Sequence, residues 1–135
     1  MHYEAITVGN TYSFERLVTE KDVRDFASLT GDRSPLHVDP KFGRHTQYGK
    51  NIVHGMLVAS FFSTIVGMYC AGKESVYLSQ SLQFKLPVFV GDTVTIQGTV
   101  VEKYDSVRAM RLKMEAIVDG KVAVLGEARV KVMEV

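Results

Sequence analysis

The fold is decided by residues 26–63, where Phe26-Ala27-Ser28-Leu29-Thr30-Gly31-Asp32-Arg33-Ser34-Pro35-Leu36-His37-Val38-Asp39-Pro40 leads to Asn51-Ile52-Val53-His54-Gly55-Met56-Leu57-Val58-Ala59-Ser60-Phe61-Phe62-Ser63. A turn-rich loop carries Asp32 and His37, and a mostly apolar helix begins at about Gly55. Five fully extended residues reach roughly 17 Å, so the two side chains share a ligand only if the loop bends. The bend is encoded. Thr30-Gly31-Asp32 is helix-ending and turn chemistry, and Pro35 fixes its own φ while moving Ser34 out of the α region. A carboxylate and an imidazole that face one point form an acid/base pair able to hold a water molecule.

Upstream, Thr19-Glu20-Lys21-Asp22 has the form of a capping box, and Val23, Phe26, Ala27 and Thr30 recur on one helical face. This predicts a helix over 20–29 that delivers the loop and ends at Gly31. Residues 3–14 read as a short strand and a turn at Gly9-Asn10. Downstream, Asp39 suits a cap, a short helix is expected near 41–46, and the helix from Gly55 to Met68 is apolar on almost every face, so protein must wrap it. The rest alternates. Val76 to Leu86, Val94 to Val100 and Met110 to Val118 read as strands, and Asp119-Gly120 is a hairpin signal before Val122 to Val132. One buried helix followed by an antiparallel meander gives an α+β chain, expected as one domain over 1–135.

The chain has 135 residues, 46% of them hydrophobic, with 16 Lys plus Arg against 15 Asp plus Glu. That balance gives no basic stripe for nucleic acid. Cys70 is the only cysteine, which excludes an intramolecular disulfide and a cysteine metal site and fits a reducing cytoplasm. Residues 1–12 have no basic region followed by an apolar run, so no secretion is expected. Residues 52–71 are near membrane-spanning length, but His54, Ser60, Ser63, Thr64 and the internal glycines favour a buried core helix, so no membrane span is expected. His37, His45 and His54 have no regular ligand spacing, and no metal is expected.

The segment Thr30-Gly31-Asp32-Arg33-Ser34-Pro35-Leu36-His37-Val38-Asp39-Pro40 resembles the hydratase 2 motif of the MaoC-like hot-dog proteins, a small residue followed by D-x-N-P-[LIV]-H-x-[DE]-P. Ile52-Val53-His54-Gly55-Met56-Leu57 and residues 81–94 are similar to the same family, in particular to the short (R)-specific enoyl-CoA hydratases, and the likeness covers nearly the whole chain. Ser34 stands where the pattern has Asn, and Gly43 where the family often has Ala, which is expected to loosen the piece around it. The resemblance implies a hot-dog fold, an antiparallel sheet around a long central helix, and a homodimer with sites near the subunit interface.

It also implies hydration of a trans-2-enoyl-CoA to the (R)-3-hydroxyacyl product, without a cofactor. Asp32 and His37 are expected to hold the water. The Gly55 N–H, at the positive end of the central helix and without an intrahelical partner, suits the thioester oxygen. Ser63 matches a family position whose hydroxyl bonds the catalytic carboxylate, and Ser34 is expected beside it. Val66 and Val130 are candidates for lining an acyl tunnel, and Lys73, Lys85 and Arg44 for meeting CoA phosphates. Other readings are a 3-hydroxyacyl thioester dehydratase of fatty-acid synthesis, a thioesterase, and a non-catalytic acyl-CoA binding domain. The D-x-S-P-L-H arrangement speaks against the thioesterase, and the presence of both Asp32 and His37 against the non-catalytic domain.

Overall fold

The first helix forms for local reasons. In the computed structural model, which describes residues 3–133, Thr19 caps α1 (Glu20–Thr30). Its hydroxyl accepts from the Asp22 N–H while the Asp22 carboxylate accepts from the Thr19 N–H, so two orphan donors are satisfied together. The helix stops at Gly31, whose φ of 81° is left-handed and whose N–H reaches the Ala27 carbonyl. Two short helices follow, α2 (Pro35–Val38) and α3 (Pro40–Arg44), each opened by proline. Asp39 caps α3 by accepting from the Lys41 and Phe42 N–H groups.

The strands are β1 (Thr11–Leu17), β2 (Ser75–Gln80), β3 (Gln83–Phe84), β4 (Thr93–Tyr104), β5 (Ala109–Val118) and β6 (Lys121–Val132). They pair antiparallel in the order β1-β4-β5-β6-β2, with β3 also beside β6. The β5–β6 hairpin turns through Asp119 and Gly120, at φ 51° and 74°, a twist that suits the flanking strands. Two expectations are corrected. The N-terminal strand follows the Gly9-Asn10 turn instead of preceding it, because Gly9 and Asn10 bond the backbone of Val100 and so start the ladder with β4 at Thr11. The alternating run from Val76 to Leu86 is two strands, interrupted where the Ser81 backbone crosses Gly126 too closely for any side chain there.

The central helix α4 (Gly55–Thr64) packs against β4, β5 and β6, and its Leu57, Val58 and Phe62 share one core with Ile96, Met110, Leu112 and Val130. The sheet therefore curves about a helix, the hot-dog arrangement. Past Thr64 the chain widens into a π-helical segment, Ile65–Cys70, which an apolar run does not distinguish from α-helix. Its Tyr69 stacks on Phe14 of β1, centroids 5.4 Å apart. Within one chain α4 is not covered on every face: Met56, Ser60 and Ser63, at helical spacing, are exposed. One sheet covers one side of a helix. Among the described residues no helix is long and apolar enough to cross a membrane.

Candidate active site

The loop bends through its own backbone. The Asp32 N–H bonds the Thr30 hydroxyl, and the Asp32 carboxylate accepts the Ser34 N–H, both at 3.2 Å. The Ser34 carbonyl then accepts from the His37 N–H at 2.9 Å, closing the turn that becomes α2. Ser34 thus shapes the loop by main-chain bonds, and its hydroxyl makes no cap bond. This local folding returns His37 toward Asp32.

Next, the second quoted stretch clamps the loop. The His37 ring bonds the Ile52 carbonyl through Nδ1 at 2.8 Å. A carbonyl only accepts, so Nδ1 carries the hydrogen and the neutral ring keeps its lone pair on Nε2. Asn51 Nδ2 donates to the carbonyls of Pro35, Leu36 and Asp39 at 3.2, 3.0 and 2.9 Å. His54, 2% exposed, donates from Nε2 to the Asp32 carbonyl at 2.9 Å and stacks on His37 with centroids 4.0 Å apart. One buried imidazole therefore touches both halves of the candidate pair. Gly43 belongs to the same clamp: a Cβ there would lie 2.6 Å from the Asn51 backbone nitrogen, so glycine lets α3 seat on residues 50–51 and does not loosen it.

Asp32 and His37, with Gly55, line a cavity of about 390 Å³ whose walls are largely apolar, among them Val58, Phe84, Leu86 and Val124. That volume suits a small ligand group. One ligand atom each from Asp32, His37 and His54 lies within 4.8 Å of the others, a span that one water bridges with two hydrogen bonds of about 2.8 Å. The two imidazole planes are 27° apart and stacked. His37 Nδ1 and His54 Nε2 are each taken up by a backbone carbonyl, so each ring has one remaining nitrogen for this group. Among the described residues the Gly55 and Met56 N–H groups, in the first turn of α4, have no hydrogen-bond partner, which leaves a donor at the positive end of the helix dipole.

Several candidates fall elsewhere. Ser63 is exposed on α4, outside the cavity, and bonds neither Asp32 nor His37 within this chain. It lies two turns beyond Gly55, on the uncovered side of the helix. Val66 and Val130, 2% and 0% exposed, are core residues that do not reach the cavity; Val58 and Val124 line it instead, because they sit nearer the Gly55 end of α4. Of the three cations only Lys85 lines the cavity. Asn51 and Phe84 escaped the sequence reading. Asn51 lies three residues before His54 in the same stretch, where a carboxamide able to bond loop carbonyls is the local signal; nothing local marks Phe84.

Comparison with known proteins places this geometry. The MaoC like domain profile matches residues 4–123. The chain is 42% identical over 132 residues to the (R)-specific enoyl-CoA hydratase of Aeromonas caviae, covering 97% of this chain and 98% of that one. It is 36% identical to the 3-hydroxybutyryl-CoA dehydratase of Methylorubrum extorquens, covering 98% and 84%. The solved structure of the Aeromonas caviae (R)-hydratase, a protein described as involved in PHA biosynthesis, superposes with a TM-score of 0.93 over 96% of this chain and 98% of that one, at 42% identity. With the motif in its loop, the sheet around its helix and these matches along nearly its whole length, the chain belongs to the MaoC-like domain family.

Proposed function

We propose that this protein adds water to trans-2-enoyl-CoA, giving (R)-3-hydroxyacyl-CoA, and runs the reverse dehydration at the same site. The observation that carries the reading is one apolar cavity that collects a carboxylate, an imidazole with a free Nε2 and an unpaired helix-terminal amide. Likeness to the (R)-specific hydratase supports substrate and stereochemistry.

Asp32 and His37 hold the water. As its oxygen forms the bond to C3, the pair removes one proton and the C2–C3 π electrons shift toward the thioester carbonyl. The Gly55 N–H stabilises the resulting enolate oxygen, a contribution of about 3 kcal/mol for a donor of this kind. Return of a proton from the pair to C2, on the face where water entered, completes addition. Oxygen and two hydrogens enter and nothing is oxidised, so the reaction calls for no redox cofactor.

The exposed stripe Met56, Ser60 and Ser63 of the central helix supports a homodimer in which a second copy covers it. The lone buried Cys70 supports a cytoplasmic setting for a single domain over 1–135. Purified protein with crotonyl-CoA should lose the enoyl ultraviolet band without releasing thiol and yield the (R) product on chiral chromatography. Asp32→Asn and His37→Gln should each cut the rate by about 100-fold or more with melting unchanged. Full activity in either variant refutes the assignment, thiol release replaces it with a thioesterase, and sedimentation as monomer at micromolar concentration rules out the dimer.

A further inference from the structure

The Gly55 Cα faces a side chain that the hydration reading leaves unused. A Cβ built on Gly55 would lie 2.6 and 2.7 Å from Cδ1 and Cε1 of Phe84 and 3.3 Å from its Cγ. Real Cβ contacts do not come this close, so the Phe84 ring fills the volume that a side chain at 55 would take. Phe84 forms half of β3, opposite Val124 of β6, and both residues line the cavity. The Lys85 and Leu86 N–H groups both bond the Ala123 carbonyl, at 2.8 and 3.2 Å, so the backbone beside Phe84 is fixed. Phe84 is nonetheless 53% exposed as a residue. One side rests on Gly55 and the other is open.

We infer that Phe84 is a substrate-contacting, specificity-determining residue whose ring excludes enoyl thioesters that carry a substituent on C2. The inference rests on the hydration reading, because it needs the thioester oxygen at the Gly55 N–H. Backbone N and Cα are about 1.5 Å apart, so a ring against the Gly55 Cα lies within van der Waals reach of the atoms that flank the bound carbonyl, C2 among them. A hydrogen on C2 fits beside the ring. A methyl adds a carbon where the ring already stands, and a mismatch of one methyl group against an apolar wall discriminates by about 10- to 200-fold. Glycine at 55 then has a second cause: it admits the ring as well as the ligand.

The test compares kcat/KM for crotonyl-CoA and its 2-methyl analogue, tiglyl-CoA, in wild type, Phe84→Leu and Phe84→Ala. The tiglyl-to-crotonyl ratio should rise about 10-fold or more in Phe84→Ala, less in Phe84→Leu, with the crotonyl-CoA loss falling mainly on KM. A ratio unchanged in both variants, each melting as a folded protein, overturns the inference and leaves the hydration reading intact. A wild type that leaves crotonyl-CoA untouched overturns both, before any variant is made. In a double-mutant cycle, Gly55→Ala should lose activity and adding Phe84→Ala should restore about 10-fold of it; a double variant no better than Gly55→Ala overturns the pairing.

Discussion

Removing the Asn51 amide tests whether the loop that carries His37 is held from outside or by its own turns. The amide donates to three carbonyls, and none is left orphaned by its loss. The Pro35 carbonyl also accepts from the Asp39 N–H, that of Leu36 from Ile52 and that of Asp39 from Gly43. Asn51→Ala therefore forfeits the net value of two amide hydrogens, about 0.5–1.5 kcal/mol each, without the larger penalty for an unpaired buried acceptor. The expected loss is about 1–3 kcal/mol, a fall in Tm of roughly 3–12 °C for a chain of this size. Asn51→Asp should be worse than Ala, because it turns a carboxylate toward carbonyls that can only accept. Thermal melts, with crotonyl-CoA hydration as the second readout, check both; kcat should fall more than KM rises, since the piece that moves is the one bearing His37. A Tm change under one degree in Asn51→Ala, or an Asp variant more stable than the Ala variant, would show that the amide nitrogen does not face those carbonyls.

Other expectations come from the same frame. Gly43→Ala, which raises helix propensity by about 0.5–1 kcal/mol, should instead destabilise by about 1–3 kcal/mol in a denaturant titration, because its Cβ would strike backbone at Lys50 and Asn51. Thr19→Ala should cost about 1 kcal/mol by removing the cap on α1. Burial alone raises the Asp22 carboxyl, but the Thr19 N–H and the Arg16 guanidinium outweigh it and hold the group below the usual range. Its stabilisation is thus present above the ordinary carboxylate value and lost as pH falls through the lowered one; the stability gap between wild type and Asp22→Asn should be open at pH 7 and close in that acid window. Burial pushes the Cys70 thiol up to about 11, so a thiol reagent at pH 8 should leave native protein unmodified and label it once unfolded.

Local chemistry made much of this chain legible. The Thr19 capping box, the Gly31 stop, the Asp39 cap and the Asp119-Gly120 hairpin are each set within a few residues, and each appears where the pattern puts it. The loop bend that brings Asp32 and His37 to one cavity was legible for the same reason. What escaped depends on partners far along the chain. The start of β1 is set by Val100, the break between β2 and β3 by Gly126, and the place of Phe84 by a strand forty residues on. Helical spacing put Ser63, Val66 and Gly55 on one element but could not say which side the sheet would cover. The π-helical widening after Thr64 has no local marker, since an apolar run satisfies either geometry.

His54 stands at the N-cap position of the central helix, grips the Asp32 carbonyl and stacks on His37, so loop and helix start are joined through one ring with almost no exposure. The groups proposed to react are consequently held as a rigid tripod, while the half-exposed Phe84 beside them is carried by a two-residue strand. Selection or design can recut that side chain to admit new acyl shapes without disturbing the tripod, because what is recognised and what is done to it are mounted on different parts of the chain.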